Sequence, residues 1–538
     1  MDILKSHLKT NSMSLIEPHQ TDGVSWLLER ESKMKGGLLC DDMGLGKTMQ
    51  IVSLFIANPL HRTLIVLPPV LIPQWISTIE KVIRNFHINY YVKQFTSKNS
   101  SDIRKALLSS DSDKHFIILC SYNMLINRNK FATRDECYPR INFRWDRLIL
   151  DEIHMIRNDK SKINRTISNT YARIRWGLSG TPINNRLKDL KTLLSFVTHS
   201  DNEGIPIKKL IDDCVLRRVK ENVLTKKLPP CIIHNVCIPF QSQIEQDVYT
   251  LVSDNVLSSL GLNHVNDITS ISLEIFEQLI RMRQIAACPP IAMESLSKKW
   301  FKKHPATDWL LQDTPRFPEY VSRGIGCDTG NMSKFNFLVN DMNKDSLNMN
   351  KTIIFCHFKA ELRMYKKILD DFNYNTAIID GSIDKKDRTE ILSGFMCSKY
   401  DIRDIVSHKC GFHCNSHENI DITKKIHKHL SYDVVLIQID CGGTGLNLQG
   451  ANRIYITSPH YNPAIEMQAI ARAHRIGQKR PVLVKRMVLG CENESIPIGL
   501  HYPLTIDGHI HSIQSKKINT MIKYIDDSYN MTVKNVIY

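Results

Sequence analysis

The chain has 538 residues, 42% hydrophobic and 23% charged, an ordinary globular composition that excludes a disordered protein. No apolar run approaches the ~20 residues needed to span a bilayer, and "MDILKSHLKTNSMSLIEPHQ" has no apolar core followed by a small-residue cleavage site, so neither a membrane nor a secreted protein is expected. Lys and Arg number 71 against 55 Asp and Glu, and the resulting +16 suits either a polyanionic partner such as nucleic acid or simply a basic enzyme.

The first element with a chemical signature is "GGLLCDDMGLGKTMQ", Gly36 to Gln50. A short strand, a glycine-rich turn and the helical spacing of "TMQIVSLFIA" form the context that a phosphate-binding loop requires. Its end, Gly46-Lys47-Thr48, fits the pattern G-x-x-x-x-G-K-[ST], but Asp41 stands where the first glycine belongs. Backbone N–H groups and the positive helix end would face phosphates, with Gly44 and Gly46 giving the tight turn. Lys47 would reach the outer phosphates and Thr48 would hold Mg²⁺.

Apolar runs follow in "TLIVLPP", "HFIILCSY", "RLILDE" and "RWGLSGTP". They are short and lack alternation, which is the habit of parallel strands covered by helices on both faces. "RLILDEIH" places Asp151 and Glu152 at the carboxyl edge of such a sheet, where ligands of open α/β sheets bind. Asp151 suits Mg²⁺, through water, and Glu152 suits a general base acting on water. From about Lys188 to Lys334 the pattern turns helical, in "SQIEQDVYTLVSDNVLSSL" and "SLEIFEQLIRMRQIAA", with "KKLPPC" as an extended connector and a poorly patterned stretch from Trp300. A second strand series, "KTIIFCHF", "TAIID", "YDVVLIQI", "NRIYITSP" and "VLVKRMV", predicts a second α/β lobe. In "QAIARAHRIGQ", Arg472 and Arg475 are three apart and would share one helix face; two arginines suit developing phosphoryl charge, but by itself the pattern reads as an ordinary basic helix face.

The 14 cysteines contain no C-x-x-C pair, and Cys120 and Cys356 lie in strand-like runs, which points to packed thiols in a reducing compartment. "HKCGFHCNSH", His408 to His417, holds clustered Cys and His, but its spacing fits no pair of C-x-x-C knuckles, and a polar surface loop is the preferred reading over zinc.

In chain order, "LIEPHQTDGVSWL", "GGLLCDDMGLGKT", "LIVLPPVLIPQW", "CSYNML", "LDEIH", "LSGTPINN", "LRRVKENVLTKKLPP", "KTIIFCHF", "DCGGTGLNLQGANRIY" and "QAIARAHRIGQ" resemble the motif series of the Swi/Snf-related ATPases of helicase superfamily two. The resemblance runs from about Leu15 to about Lys485, and the wording is nearest the helicase-like transcription factor branch, although the scattered Cys288 and Cys327 of the middle supply no RING. It implies two RecA-like lobes with parallel sheets and helical protrusions. The domains expected are an extension at 1–14, a first lobe at 15–230, a helical protrusion and irregular segment at 231–333, and a second lobe at 334–538 with an insertion at about 396–432.

By the same resemblance Gln20 reads adenine, Gly44, Gly46, Lys47, Thr48, Asp151 and Gly445 bind the nucleotide, and Thr48 and Asp151 hold Mg²⁺. Glu152, Arg472, Arg475 and Lys47 are the catalytic set, while His154, Ser179, Thr181 and Gln468 couple hydrolysis to lobe movement. "LRRVK" at 216–220 would serve structure and coupling. Implied are ATP and Mg²⁺ as cofactors, double-stranded DNA held by its backbone as partner, and nucleosomes or transcription machinery as targets of a monomeric motor. The setting would be a nucleus or a site of viral DNA replication or transcription. An RNA-directed helicase with the same engine and a non-catalytic DNA-bound scaffold are the alternatives. Departures from the family pattern are Ile153 at a place usually small, Asp440 before "CGGTG", and "SPHYNP", in which Ser458 replaces a carboxylate.

Overall fold

The computed structural model describes residues 18–84, 86, 88–108, 113–126, 139–181, 187–200, 202, 204–224, 228–243, 245–246, 249–250, 253, 273–289, 332–344, 351–396, 432–442, 446–475, 477–490, 505–525 and 533–537. The chain divides into two compact units, Met1–Lys227 with Asn519–Tyr529 and Leu228–Ile518 with Asn530–Tyr538.

The first unit carries the strands β1 (Gly37–Leu39), β2 (Arg62–Leu67), β3 (Tyr90–Gln94), β4 (His115–Ser121), β5 (Trp145–Asp151), β6 (Ala172–Leu178) and β7 (Val215–Leu216). They pair in the order β3-β4-β2-β5-β6-β1-β7, every pair parallel. Neighbours along a strand point to opposite faces. On β2, Leu64 and Val66 therefore enter one core with Ile118, Leu148 and Leu150, while Ile65 and Leu67 enter the other with Ile117, Leu119 and Ile149. Both faces are covered, which is why these runs read as unbroken apolar stretches.

The second unit repeats the scheme with β8 (Cys231–Ile238), β9 (Thr352–Cys356), β10 (Thr376–Ile379), β11 (Val434–Gln438), β12 (Arg453–Ile456), β13 (Val482–Leu489) and β14 (Val533–Ile537), in the order β10-β11-β9-β12-β13-β8-β14, again all parallel. Its two cores divide in the same way, Ile354 and Leu436 on one face and Ile353, Phe355 and Ile437 on the other. The two parallel-sheet units are the RecA-like lobes that the sequence implies. Cys120 and Cys356 are buried free thiols.

One expectation needs correction. Cys231–Ile238 opens the segment read as a helical protrusion, yet it forms the eight-residue β8, paired in register with β13 from Cys231↔Val482 to Ile238↔Leu489. His234 and Asn235 interrupt its apolar run and hid the strand. Helix does follow within the expected segment, at Leu273–Ala287, and a further helix, Ile506–Ile525, precedes β14. The 1–14 extension, most of the 396–432 insertion and the 408–417 Cys/His cluster lie outside the described residues. Among the described residues no helix is long and apolar enough to cross a membrane.

Candidate nucleotide-binding site

β1 runs into the loop Cys40–Gly46, and the helix Lys47–Ala57 begins directly after it. Gly44 and Gly46 have φ of 93° and 84°, the left-handed region that favours glycine. At Gly46 a Cβ would also come within 2.3 Å of Gln20 Nε2, so the glycine admits the side chain read as the adenine reader. Gln20 is buried in the helix Pro18–Ser32 and donates from Nε2 to the Leu45 carbonyl at 3.2 Å; the neighbouring His19 Nε2 contacts the same oxygen at 3.0 Å. Lys47, half-buried, directs Nζ back into the loop, donating to the carbonyls of Asp41 at 2.5 Å and Asp42 at 3.3 Å. Thr48 is half-buried in the first helical turn.

Asp151 is the last residue of β5. Its Oδ2 accepts from Trp75 Nε1 at 2.8 Å, its Oδ1 from the backbone N–H of Glu152 at 3.0 Å, and its carbonyl from Tyr122 Oη at 2.8 Å. Burial, with the neighbouring Glu152 charge next, pushes its carboxyl up to about 6, opposed by the Trp75 hydrogen bond and the Lys47 ammonium. The Lys47 ammonium is thus among the charges that act on the Asp151 carboxylate. Glu152 follows with φ 53° and ψ 52°, a left-handed conformation that costs a non-glycine residue about 1–2 kcal/mol. The turn sets its carboxylate beside His154, with Oε2 3.3 Å from Nδ1. Ile153, at the place expected to be small, is wholly buried against Gly177, where a Cβ would meet its Cδ1 at 2.3 Å.

Ser179 and Thr181 leave the end of β6. Ser179 donates its N–H to the Leu39 carbonyl at 3.3 Å, and its Oγ accepts from Thr181 N–H at 3.1 Å. The first unit thus brings Gln20, Gly44, Gly46, Lys47, Thr48, Asp151, Glu152, His154, Ser179 and Thr181 to the carboxyl edge of β1, β5 and β6 or to the loop beside it.

Trp75 and Tyr122 clasp Asp151, a contact that the sequence reading did not foresee. Both stand inside quoted motifs ("PQW" and "SYNML"), and a buried ring with an N–H or O–H needs a partner, which was the available signal. The acidic pair of the loop also has partners far along the chain: Arg218 on Asp41 and Arg217 on Asp42.

The second unit holds Gln468, Arg472 and Arg475. Gln468 is half-buried in the helix Pro463–Ile470. The arginines do not share a helix face as expected, because that helix ends at Ile470 and both stand in the turn that follows. Leu448 N–H donates to the Arg472 carbonyl at 3.1 Å and Gln478 N–H to the Arg475 carbonyl at 3.0 Å. Buried Gln478 pins the turn by donating to the carbonyls of Gln449, Ala451 and Ala473 at 2.9–3.2 Å. Gly445 lies outside the described residues. Ser458, which lacks the usual carboxylate, accepts from Lys334 Nζ at 2.8 Å, and the buried ammonium is paired with Asp507. Asp440 lies 3.7 Å from His460 Nε2, which holds its carboxyl below the usual range.

Two family models match the chain across most of its length. The model of the SNF2-related domain matches residues 19–290, and that of the helicase conserved C-terminal domain matches 333–409 and 404–477. The chain belongs to the SNF2-related family. Similar SNF2-related proteins include TATA-binding protein-associated factor 172 of Homo sapiens, 25% identical over 94% of this chain and 28% of the human protein. The probable global transactivator of Orgyia pseudotsugata multicapsid polyhedrosis virus is 26% identical over 94% of this chain and 91% of the viral protein. DNA excision repair protein ERCC-6-like of Danio rerio is 25% identical over 87% of this chain and 34% of its own length. This SNF2-related chain therefore spans about a third or less of two of these relatives and nearly all of the viral one. A solved structure, the Sulfolobus solfataricus SWI2/SNF2 ATPase core in complex with dsDNA, is 20% identical over 88% of both chains, with a TM-score of 0.35.

Proposed function

We propose that the chain is an ATP-dependent translocase on double-stranded DNA that acts on DNA–protein complexes. The observation that carries the reading is the joining, in the first unit, of the glycine loop with Lys47 to the buried Asp151 and the adjacent Glu152. The residues fit Mg-ATP: two positive-φ glycines, an ammonium held in the loop at a helix N-terminus, and a desolvated carboxylate at a strand end. Mg-ATP supplies the phosphoanhydride whose cleavage releases energy.

The protein's own groups divide the work. Gln20, beside Gly46, would orient the base, and Lys47 and Thr48 with the loop amides would hold phosphate charge and Mg²⁺. Asp151, fixed by Trp75 and Tyr122, would hold Mg²⁺ through water. Glu152, aimed by its left-handed backbone and accompanied by His154, takes the proton of the attacking water. Arg475, with Arg472, is assigned to the charge that develops on the transferred phosphoryl group. Ser179, Thr181 and Gln468 are assigned to coupling.

The net charge of +16 supports a nucleic-acid track bound through its phosphates. The names of two relatives, a TATA-binding protein-associated factor and a global transactivator, support a role at DNA carrying other proteins, in a nucleus or at a site of viral transcription. The test is the ATPase rate with duplex DNA, single-stranded DNA, RNA and nucleosomes at one salt concentration. Stimulation by duplex DNA is expected. Stimulation by RNA alone would replace this reading with an RNA-directed helicase, and DNA binding without turnover would replace it with a scaffold.

A further inference from the structure

The assigned chemistry leaves Asp41 and Asp42 unused, although Asp41 stands where a glycine would complete the loop pattern. Asp41 is wholly buried. Arg218 grips it with both arms, Nε to Oδ1 at 2.9 Å and Nη2 to Oδ2 at 2.5 Å, and Gln50 Nε2 donates to Oδ2 at 3.0 Å. Arg218 also donates from Nη2 to Gln50 Oε1 at 2.9 Å and from Nη1 to the carbonyl of His19, the residue before Gln20. Arg217 donates from Nη1 to the carbonyls of Cys40 at 3.0 Å and Gly180 at 3.2 Å, and from Nη2 to Asp42 Oδ1 at 3.3 Å. The backbone closes the arrangement: Asp42 N–H donates to the Arg218 carbonyl at 2.9 Å, and Lys220 N–H donates to Asp42 Oδ2 at 3.2 Å.

Gly23 makes room for this, since a Cβ there would meet Gln50 Oε1 at 1.8 Å and Arg218 Nη2 at 2.7 Å. Two adjacent guanidiniums therefore touch the helix of Gln20, the glycine loop and the Ser179–Thr181 segment at once. They follow β7, which lies parallel to β1, and precede by a few residues the start of the second unit at Leu228.

We infer that Arg218, with Arg217, is a positioning residue for the nucleotide, holding the Asp41–Asp42 backbone whose carbonyls seat Lys47 and joining it to the chain that leads into the second unit. The inference rests on the ATPase reading. A bidentate charge-assisted pair fixes geometry that a lysine cannot reproduce. Its loss moves the loop and the amine together.

The test compares Arg218→Ala, Arg218→Lys and Asp41→Asn with wild type in four measurements: affinity for a fluorescent ATP analogue, KM and kcat for ATP, affinity for a duplex oligonucleotide, and melting temperature. Arg218→Ala and Asp41→Asn are expected to weaken nucleotide binding and raise KM by about tenfold or more, with DNA affinity unchanged, and Arg218→Lys to recover part of the loss. The double substitution Asp41→Asn with Arg218→Ala should lose little more than either alone. If the alanine protein does not fold, the isosteric Asp41→Asn decides. Unchanged nucleotide affinity, or a parallel loss of DNA affinity and melting temperature, overturns the inference. A wild-type protein that binds no nucleotide would instead overturn the ATPase proposal, before any variant is compared.

Discussion

The helix that carries Gln20 and the strand that ends in Asp151 are tied by one buried ion pair, and Glu31→Gln measures it. Four N–H groups converge on the fully enclosed Glu31 carboxylate: Arg147 Nε at 2.7 Å and Nη2 at 2.5 Å, Trp176 Nε1 at 2.8 Å and Asn58 Nδ2 at 2.7 Å. A carboxylate offers about four acceptor sites, so the set is saturated. Glutamine keeps the shape but turns one oxygen into NH₂, and the donors on that side then meet hydrogens. Arg147, 1% exposed, would keep the Asn58 carbonyl at 3.0 Å and the Phe55 ring at 5.4 Å as neighbours for an uncompensated charge.

Removing one partner of a buried pair costs about 3–5 kcal/mol. At ~2–4 °C per kcal/mol for a unit of this size, the first unit should melt about 6–20 °C lower. Tryptophan fluorescence follows the melt directly, because Trp176 is one of the donors. A variant melting within ~2 °C of wild type would refute the account of this site. Exchanging both partners for apolar residues of similar volume should recover much of the loss, since a desolvated pair is worth little against good packing.

Glu152→Gln should lower kcat by about 10²–10⁴ while leaving nucleotide affinity intact, as read by single-turnover hydrolysis beside equilibrium binding. Trp75→Phe removes a donor from the Asp151 carboxylate, a bond worth about 1.5–3 kcal/mol, so kcat should fall roughly 10–100-fold in a protein that still melts cooperatively; an unchanged rate would free Asp151 from this support. In the second unit, burial and then the Arg486 charge lower the buried His511 imidazole to about 4. Above the unfolded value of ~6.5 the residue contributes nothing; as pH falls from there to 4 the unfolded chain takes up a proton that the folded one refuses. Up to about 3 kcal/mol of stability should be lost over that window, and His511→Gln should flatten this part of the melting temperature against pH.

What was legible in the sequence follows from where its signals are local. Strands with Ile, Val and Leu in sequence, such as β2, β4 and β9, announce themselves because both faces of each sheet are covered. The half-exposed edge strand β3, the two-residue β7 and the polar-interrupted β8 carry no such run. The glycine loop and the Asp151–Glu152 pair were readable because spacing and chemistry coincide. The grip of Arg218 on Asp41 was not, because it joins residues 177 apart and depends on how β7 lies against β1. The turn that carries Arg472 and Arg475 was misread as helix because Ala, Arg and His there are compatible with either. What ends the helix is the turn pinned by Gln478, followed by Gly477 at φ 102°.

The central claim is that ATP hydrolysis at Lys47 and Glu152 moves this protein along duplex DNA. Displacement of a third strand from a DNA triplex measures that movement without requiring the duplex to open. The wild-type protein should release the third strand with Mg-ATP and not with a non-hydrolysable analogue, and Lys47→Ala should release none. Release that persists in Lys47→Ala, or brisk DNA-stimulated hydrolysis with no release by the wild type, would contradict the claim.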